Sequence, residues 1–291
     1  MKTIVVTGGA GHVGSHVVEL LAKNSDNHVI SLDNYSYGSK KNHIEGAEYR
    51  TGNTLDIDKL VPETPDIVYH LGEYARIAPS FEDVEKVYEL NMMGTFRVLE
   101  FCRKRGVGKL VYAGSSTRYA AHGEGRNQNP YSFTKAVNVD LIINYGKWYN
   151  LPYAIAYFNN AFGPREGSIT LIGCLERMYL EGKPLTVVKP GTQERNFTYV
   201  TDLARGLIMV GERGHGDGYV LGNKKAVSVL EIAEAFGGEI KMVDGYPGRE
   251  NSGDTPTKAR DELGWDTTLD VLDYIKDFVA THKRGSGVPS K

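Results

Sequence analysis

The 291-residue chain contains only two cysteines, Cys102 and Cys174. That is too few for a disulfide scaffold, and their separation has no metal-ligand spacing. No metal site is therefore expected, both thiols read as core residues, and a reducing cytoplasm is the default setting. Excess charge is lacking too. A net charge of −2 offers neither the basic field of a nucleic-acid binder nor that of a membrane-surface protein. No apolar run reaches the length of a membrane span, and the N-terminus enters an apolar β-branched segment at once, which leaves no room for a signal peptide. Internal repeats and low-complexity linkers are absent; residues 284–291, rich in Gly, Ser, Pro and Lys, read as a frayed tail. This length suits one large α/β unit, or a nucleotide domain with a smaller companion.

What is present begins at Thr3. Residues 3–6 are apolar on both faces, as in a buried parallel strand, and Val17, Val18, Leu20 and Leu21 then set a helical face. Between them Gly8, Gly11 and Gly14, spaced G-x-x-G-x-x-G, allow a tight turn, close approach of a ligand, and packing of helix against strand. The helix N-terminus there offers N–H groups to an anion. A second apolar strand, 28–32, ends in Asp33 about 20 residues on, where a carboxylate accepts ribose hydroxyls and repels a 2′-phosphate. The pattern reads as a dinucleotide site for NAD. Lys40 and Lys41 are the pair that would meet a 2′-phosphate; the alternative for them is a solvated loop.

The polar loop 34–46 can wrap an adenosine, and the turn Gly52-Asn53-Thr54 after a short strand at 48–51 can contact the base. Residues 67–71 form the next buried strand, preceded by the breakers Pro62 and Pro65; His70 inside it reads as a satisfied core histidine. Apolar residues at helical spacing predict a long amphipathic helix over 81–105, stopped by Gly106. Strand 110–114 delivers Ser115, Ser116 and Thr117 at its carboxyl end, where open parallel sheets bind ligands. A helix beginning at Asn129-Pro130 puts Tyr131 and Lys135 one turn apart on one face.

Strand 153–158 is followed by Asn159-Asn160, where strict alternation stops. Beyond it the patterns predict helices at 171–180, 200–212, 229–236 and 269–281, and strands at 185–188, 196–199 and 219–221. The fold class is α/β: a Rossmann-type doubly wound parallel sheet with a smaller interleaved C-terminal α/β substrate domain. The expected division is 1–163 plus about 196–222 for NAD, and 164–195 with 223–283 for substrate.

Taken together, the stretches TGGAGHVGSH, SLDN, VYHLGEYARI, ELNMMGTFRVLEFCRKRGVGKLVYAGSS, YSFTK, YFNNAFGPRE, PLTVVKPGTQERNFTYVTDLARG and DTPTKARDELGW resemble the extended short-chain dehydrogenase/reductases. Within them the resemblance is to the NAD-dependent epimerase/dehydratase group acting on nucleotide sugars, and it runs along nearly the whole chain. It implies Ser115, Tyr131 and Lys135 as catalytic residues. Tyr131 would be the base, its phenol (ordinary pKa near ~10) favoured as phenolate by the Lys135 ammonium and the nicotinamide charge. Ser115 would hydrogen-bond the reacting oxygen, and Lys135 would also hold the nicotinamide ribose. For the cofactor it implies Gly8, Gly11, His12, Val13, Gly14, Asp33, Asn34, Ser36, Gly38, Asn53, Thr54, Leu71, Gly72, Glu73, Asn91 and Phe158, with Tyr131 and Lys135. For the nucleotide sugar it implies Ser115, Ser116, Thr117, Asn159, Thr186, Arg195 and Arg249, the two arginines on the diphosphate. It also implies a homodimer through the helices 81–105 and 130–149.

Relatives that dehydrate or decarboxylate the 4-keto sugar carry an acidic residue two or three positions after the serine; here Ser116 and Thr117 follow. The expectation is thus 4-epimerisation, most simply of a UDP-hexose, as in UDP-glucose 4-epimerases. The alternatives are another nucleotide-sugar enzyme of the group (4-oxidase, dehydratase or decarboxylase), or a non-catalytic dinucleotide sensor. The chain departs from the family pattern at Glu73, where a small residue is usual, at Asn160 and Asn196, and in a short 119–131 loop. Glu73 is a carboxylate able to alter the nicotinamide potential or to replace the missing acid.

Overall fold

The computed structural model describes residues 1–119, 125–167, 170–245 and 256–287. Its strands are β1 (Lys2–Thr7), β2 (Asn27–Asp33), β3 (Ala47–Thr51), β4 (Ile67–His70), β5 (Lys109–Ser115), β6 (Tyr153–Phe158), β7 (Asn160–Phe162), β8 (Leu185–Val188), β9 (Glu194–Tyr199), β10 (Gly216–Leu221), β11 (Ala226–Ser228) and β12 (Ile240–Val243). Its helices are α1 (His12–Ala22), α2 (Ile57–Leu60), α3 (Val84–Val87), α4 (Gly94–Arg105), α5 (Pro130–Tyr149), α6 (Leu171–Leu180), α7 (Val200–Arg213), α8 (Val229–Phe236), α9 (Lys258–Leu263) and α10 (Val271–Thr281).

Strands apolar on both faces must be covered on both, and the structure does this with one seven-stranded sheet in the order β10-β6-β5-β4-β1-β2-β3. Every pairing in it is parallel. Successive residues of β1 serve opposite faces. Val5 packs with Ile30, Leu110, Val98 and Ile142 beneath α4 and α5; Ile4 and Val6 pack with Val17, Val18, Leu203 and Leu207 beneath α1 and α7. Strand order reverses between β1 and β4, which opens a crevice at their carboxyl ends.

A third core, around Phe162, Leu175, Leu185, Phe197, Ile232 and Ile275, lies among α6, α8, α10 and two small sheets, β11-β9-β7 and β12-β8. Residues 160–162 and 194–199 pair there, although 160–163 and 196–199 were expected on the dinucleotide side; α7 and β10 do return to the large sheet. The helix expected over 81–105 is also corrected. Phe81 closes a short 3₁₀ turn, α3 starts at Val84, and a π-helical segment, Tyr88–Met93, joins it to α4. The frayed tail is corrected for residues 284–287: Arg284 donates to the carbonyls of Gly237 and Lys183, and the amides of Gly285 and Gly287 donate to those of Tyr179 and Leu180. Residues 288–291 lie outside the described residues. Cys102 is buried, whereas Cys174 is only half-buried. Among the described residues no helix is long and apolar enough to cross a membrane.

The opening turn carries the tightest backbone approach. A Cβ on Gly14 would sit 2.1 Å from the Gly8 carbonyl oxygen, but one on Gly11 would meet only that oxygen, at 3.2 Å. Gly14→Ala is expected to lower the urea unfolding free energy by about 1–3 kcal/mol through overpacking, and Gly11→Ala to stay near wild type.

Candidate active site

The crevice between β1 and β4 is built by two loops that touch through glycine. Gly8, at φ +71°, has no room for a Cβ, which would lie 2.9 Å from Gly72 Cα; a Cβ on Gly72 would lie 2.8 Å from the Gly8 nitrogen. α1 starts at His12 after Gly11, an N-cap without a capping side chain. The first-turn amides are therefore left to an anion, and Val13 stands among them. This glycine cradle fits a dinucleotide diphosphate. The His12 ring turns into the fold near His16, which bonds the Pro164 carbonyl, and Arg165 pairs with Glu19. Burial first, then His16, pushes the His12 imidazole down to about 3.

Asp33 ends β2 buried, its carboxylate accepting from Ala10 N (2.9 Å) and Tyr35 N (2.7 Å). Gly38 passes over it: a Cβ there would lie 2.9 Å from both carboxylate oxygens. A cavity of about 760 Å³ lined by Asn34, Ser36, Asn53 and a wall of four carboxylates, Glu82, Asp83, Glu85 and Glu89, with one cation, Lys86, adjoins this end. Such a wall disfavours a 2′-phosphate, while Lys40 and Lys41 are exposed. Thr54 is buried behind Asn53, tight against Gly94.

Asn91, expected at the cofactor, instead braces the fold. Its amide accepts from Tyr74 N (2.7 Å) and donates to Tyr74 O and Thr134 Oγ1, both at 3.1 Å. The π-helical turn around it also leaves the Asn91 carbonyl to Asn138 Nδ2, at 2.9 Å. π-turns in helices gather at functional sites for this kind of re-aiming.

Ser115 ends β5, and its Oγ accepts from both Thr117 Oγ1 (3.0 Å) and Thr117 N (3.3 Å). With both lone pairs used, the Ser115 proton is the part left to offer a ligand. Ser116 beside it is half-buried. α5 opens with Asn129 as N-cap, bonded to Ser132 N, and Pro130 in its first turn. Tyr131 follows, half-buried, with Lys135 one turn on. Lys135 is buried: Nζ is bonded to the Ala113 carbonyl and ion-paired with Glu73, and lies 4.2 Å from the centroid of the Tyr112 ring.

Glu73 is also inside, accepting at Oε1 from Asn138 Nδ2 (2.8 Å), Thr95 Oγ1 (2.9 Å) and Tyr112 OH (3.0 Å). Thr95 meets His70 Nε2 at 3.0 Å, His70 Nδ1 meets Thr7 Oγ1 at 2.7 Å, and Thr7 Oγ1 accepts the amides of Leu71 and Gly72. His70 is the satisfied core residue expected, yet it also links the glycine crevice to Glu73. Sequence reasoning missed Thr7, Thr95, Tyr112 and Asn138. One signal was available: Tyr131, Thr134, Lys135 and Asn138 form a polar stripe along α5, and the last three lie on its buried face.

On the other side of the crevice, Phe158 ends β6, and Asn159 is buried with its Oδ1 lacking a hydrogen-bond partner. Thr186 lies on β8 against Met178 Sδ (3.5 Å), and Arg195 on β9 in register with Val227. Asn196, the departure beside it, ties the Asn223 carbonyl (2.8 Å). Arg249 lies outside the described residues. No cluster of three or more potential metal ligands occurs among the described residues.

A doubly wound sheet with a glycine turn at its switch point, an acidic β2 end, a serine at the end of β5 and a Tyr-Lys pair on α5 defines a dinucleotide-dependent enzyme of the extended short-chain dehydrogenase/reductase type. Residues 4–222 match the NAD dependent epimerase/dehydratase family, and the chain belongs to it. It is 30% identical to a putative UDP-glucose 4-epimerase of Methanocaldococcus jannaschii, over 95% of this chain and 97% of that protein. It is equally, 30%, identical to UDP-glucuronic acid decarboxylase 6 of Arabidopsis thaliana, over 99% of this chain and 91% of that one. The structure superposes on a UDP-glucuronic acid 4-epimerase of Bacillus cereus, solved with UDP-glucuronic acid and NAD, with a TM-score of 0.86 and 26% identity, covering 96% and 99% of the two chains.

Burial pushes the His70 imidazole down to about 4. An unfolded histidine takes its proton near ~6.5. The stabilisation is therefore full above that pH and is lost as pH falls toward 4, where the unfolded chain alone is protonated. Urea unfolding is expected to lose about 2 kcal/mol between pH 7 and pH 5 from this group, and a His70→Gln protein to show a shallower loss.

Proposed function

We propose that the protein is a nucleotide-sugar 4-epimerase acting on a UDP-hexose. The observation that carries this reading is the surroundings of Ser115. Ser116 and Thr117 stand where an acid for dehydration or decarboxylation would, and Thr117 is folded back onto Ser115 Oγ. Glu73, the other candidate acid, is fully engaged by donors from inside the fold. With no carboxylate bonded to the serine among the described residues, the simplest fate of a 4-keto sugar is reduction on its other face.

Bound NAD supplies the hydride acceptor and, in the return step, the donor. Gly8 to Gly14 and Asp33 would hold its diphosphate and adenosine ribose. Tyr131 takes the proton of the sugar 4-hydroxyl and later returns it, and the Ser115 hydroxyl donates to the same oxygen. Lys135 lends its charge to the Tyr131 phenolate. Asn159, Arg195 and Arg249 would bind the diphosphate of the substrate, with Thr186 near the nucleoside. The exposed Tyr88, Met93, Phe133, Trp148 and Tyr149 on the helices 84–105 and α5 support pairing with a second copy.

Incubation with UDP-, GDP- and dTDP-sugars and product analysis by NMR should give C4 epimers of a UDP-hexose. A 4-keto-6-deoxy or decarboxylated product would replace this reading, and a Tyr131→Phe protein that keeps turnover would remove it. Arg195→Ala should raise KM about tenfold or more with little change in kcat, the loss of one charge-assisted contact. Light scattering should give twice the monomer mass.

A further inference from the structure

The pairing of a lysine and a glutamate in the core behind the site has a chemical consequence for the first. The Lys135 side chain is 7% exposed and that of Glu73 3%. An ammonium so placed sheds its proton unless a counter-charge holds it. Among the described residues the groups around Lys135 are few. The loop after β4 brings Glu73, β4 brings His70, β5 brings the Tyr112 ring and the Ala113 carbonyl, and its own helix brings Tyr131 one turn earlier. Glu73 is the one carboxylate among them. It cannot swing away, because Thr95, Tyr112 and Asn138 each donate to its Oε1 from a different element.

Along the line from Thr7 to Glu73 the direction of each hydrogen follows from counting donors. The amides of Leu71 and Gly72 can only donate, so Thr7 Oγ1 accepts both and passes its own proton to His70 Nδ1. His70 must then carry its proton on Nε2 and donate to Thr95, which donates to Glu73. Both chains of donors, this one and Lys135, end on the same carboxylate.

We propose that Glu73 is the positioning residue of this active site: it holds Lys135 in place as an ammonium, so that Tyr131 works beside a full positive charge. This rests on the reading of Tyr131 as the base. It excludes the other role open to Glu73, that of a second acid toward the sugar, because its oxygens are committed to internal donors. Burial draws the Lys135 ammonium down while Glu73 opposes that shift, in keeping with the geometry.

The test compares wild type with Glu73→Gln, Glu73→Asp and Tyr112→Phe. In the apoprotein, carbon-13 labelled lysine reports the titration of Lys135 directly. Its proton should be lost in Glu73→Gln about two pH units or more below wild type, and Glu73→Asp should restore part of the shift. In turnover, Glu73→Gln should lower kcat at neutral pH by about 10- to 100-fold with KM changed less than about threefold, and move the acid limb of the kcat profile upward by about one unit. Tyr112→Phe, which keeps the charge and removes one donor, should shift both in the same direction by less. An unmoved Lys135 titration, or an unmoved acid limb in a folded Glu73→Gln protein, overturns the proposal, whatever the loss in melting temperature. Failure of both Glu73→Gln and Tyr112→Phe to fold would make the pair a folding element and overturn it as well. If wild type turns over no sugar, the proposed function fails instead, and the lysine titration still decides the role of Glu73.

Discussion

The contact of Gly8 with Gly72 is the constraint from which the site follows. Two parallel strands can bring their carboxyl ends this close only where neither loop carries a Cβ. That closeness opens the switch-point crevice on one side. On the other it places Thr7 within reach of the amides of the second loop. From Thr7 inward, each polar group is committed by the last, through His70 and Thr95 to Glu73 and Lys135. The cofactor turn and the catalytic helix are thus parts of one hydrogen-bonded unit, though their residues lie far apart in the chain.

The fold and half of the site could be read before any coordinates, for local reasons. The glycine turn, Asp33 at a strand end, Ser115 at another, and Tyr131 with Lys135 one turn apart each announce themselves within a short window. The strands of the large sheet were legible because burial on both faces leaves unbroken apolar runs. β7 and β11 were not, since three residues are too few to display a period. Glu73 was visible as an oddity, but its meaning was not. Its partners come from α4, β5 and α5, and a pairing 62 residues apart leaves no local mark. The bracing contacts of Asn91 were hidden for a related reason: helical spacing does not disclose the π-turn in which it sits.

The family frame and the particular site make separate contributions. The family explains the sheet, the turn and the Ser-Tyr-Lys arrangement, and it holds relatives that epimerise and relatives that decarboxylate. This chain keeps the Glu73 carboxylate against the lysine and has hydroxyls, Ser116 and Thr117, directly after Ser115, with Thr117 bonded back to the Ser115 Oγ.

A chain of hydrogen bonds conducts a proton only if every link can reverse its polarity. The one running from Leu71 and Gly72 through Thr7, His70 and Thr95 cannot, because it begins at peptide N–H groups that have nothing to give up and no lone pair to receive with. It is a strut and not a wire. No proton can leave the Glu73–Lys135 pair along this route.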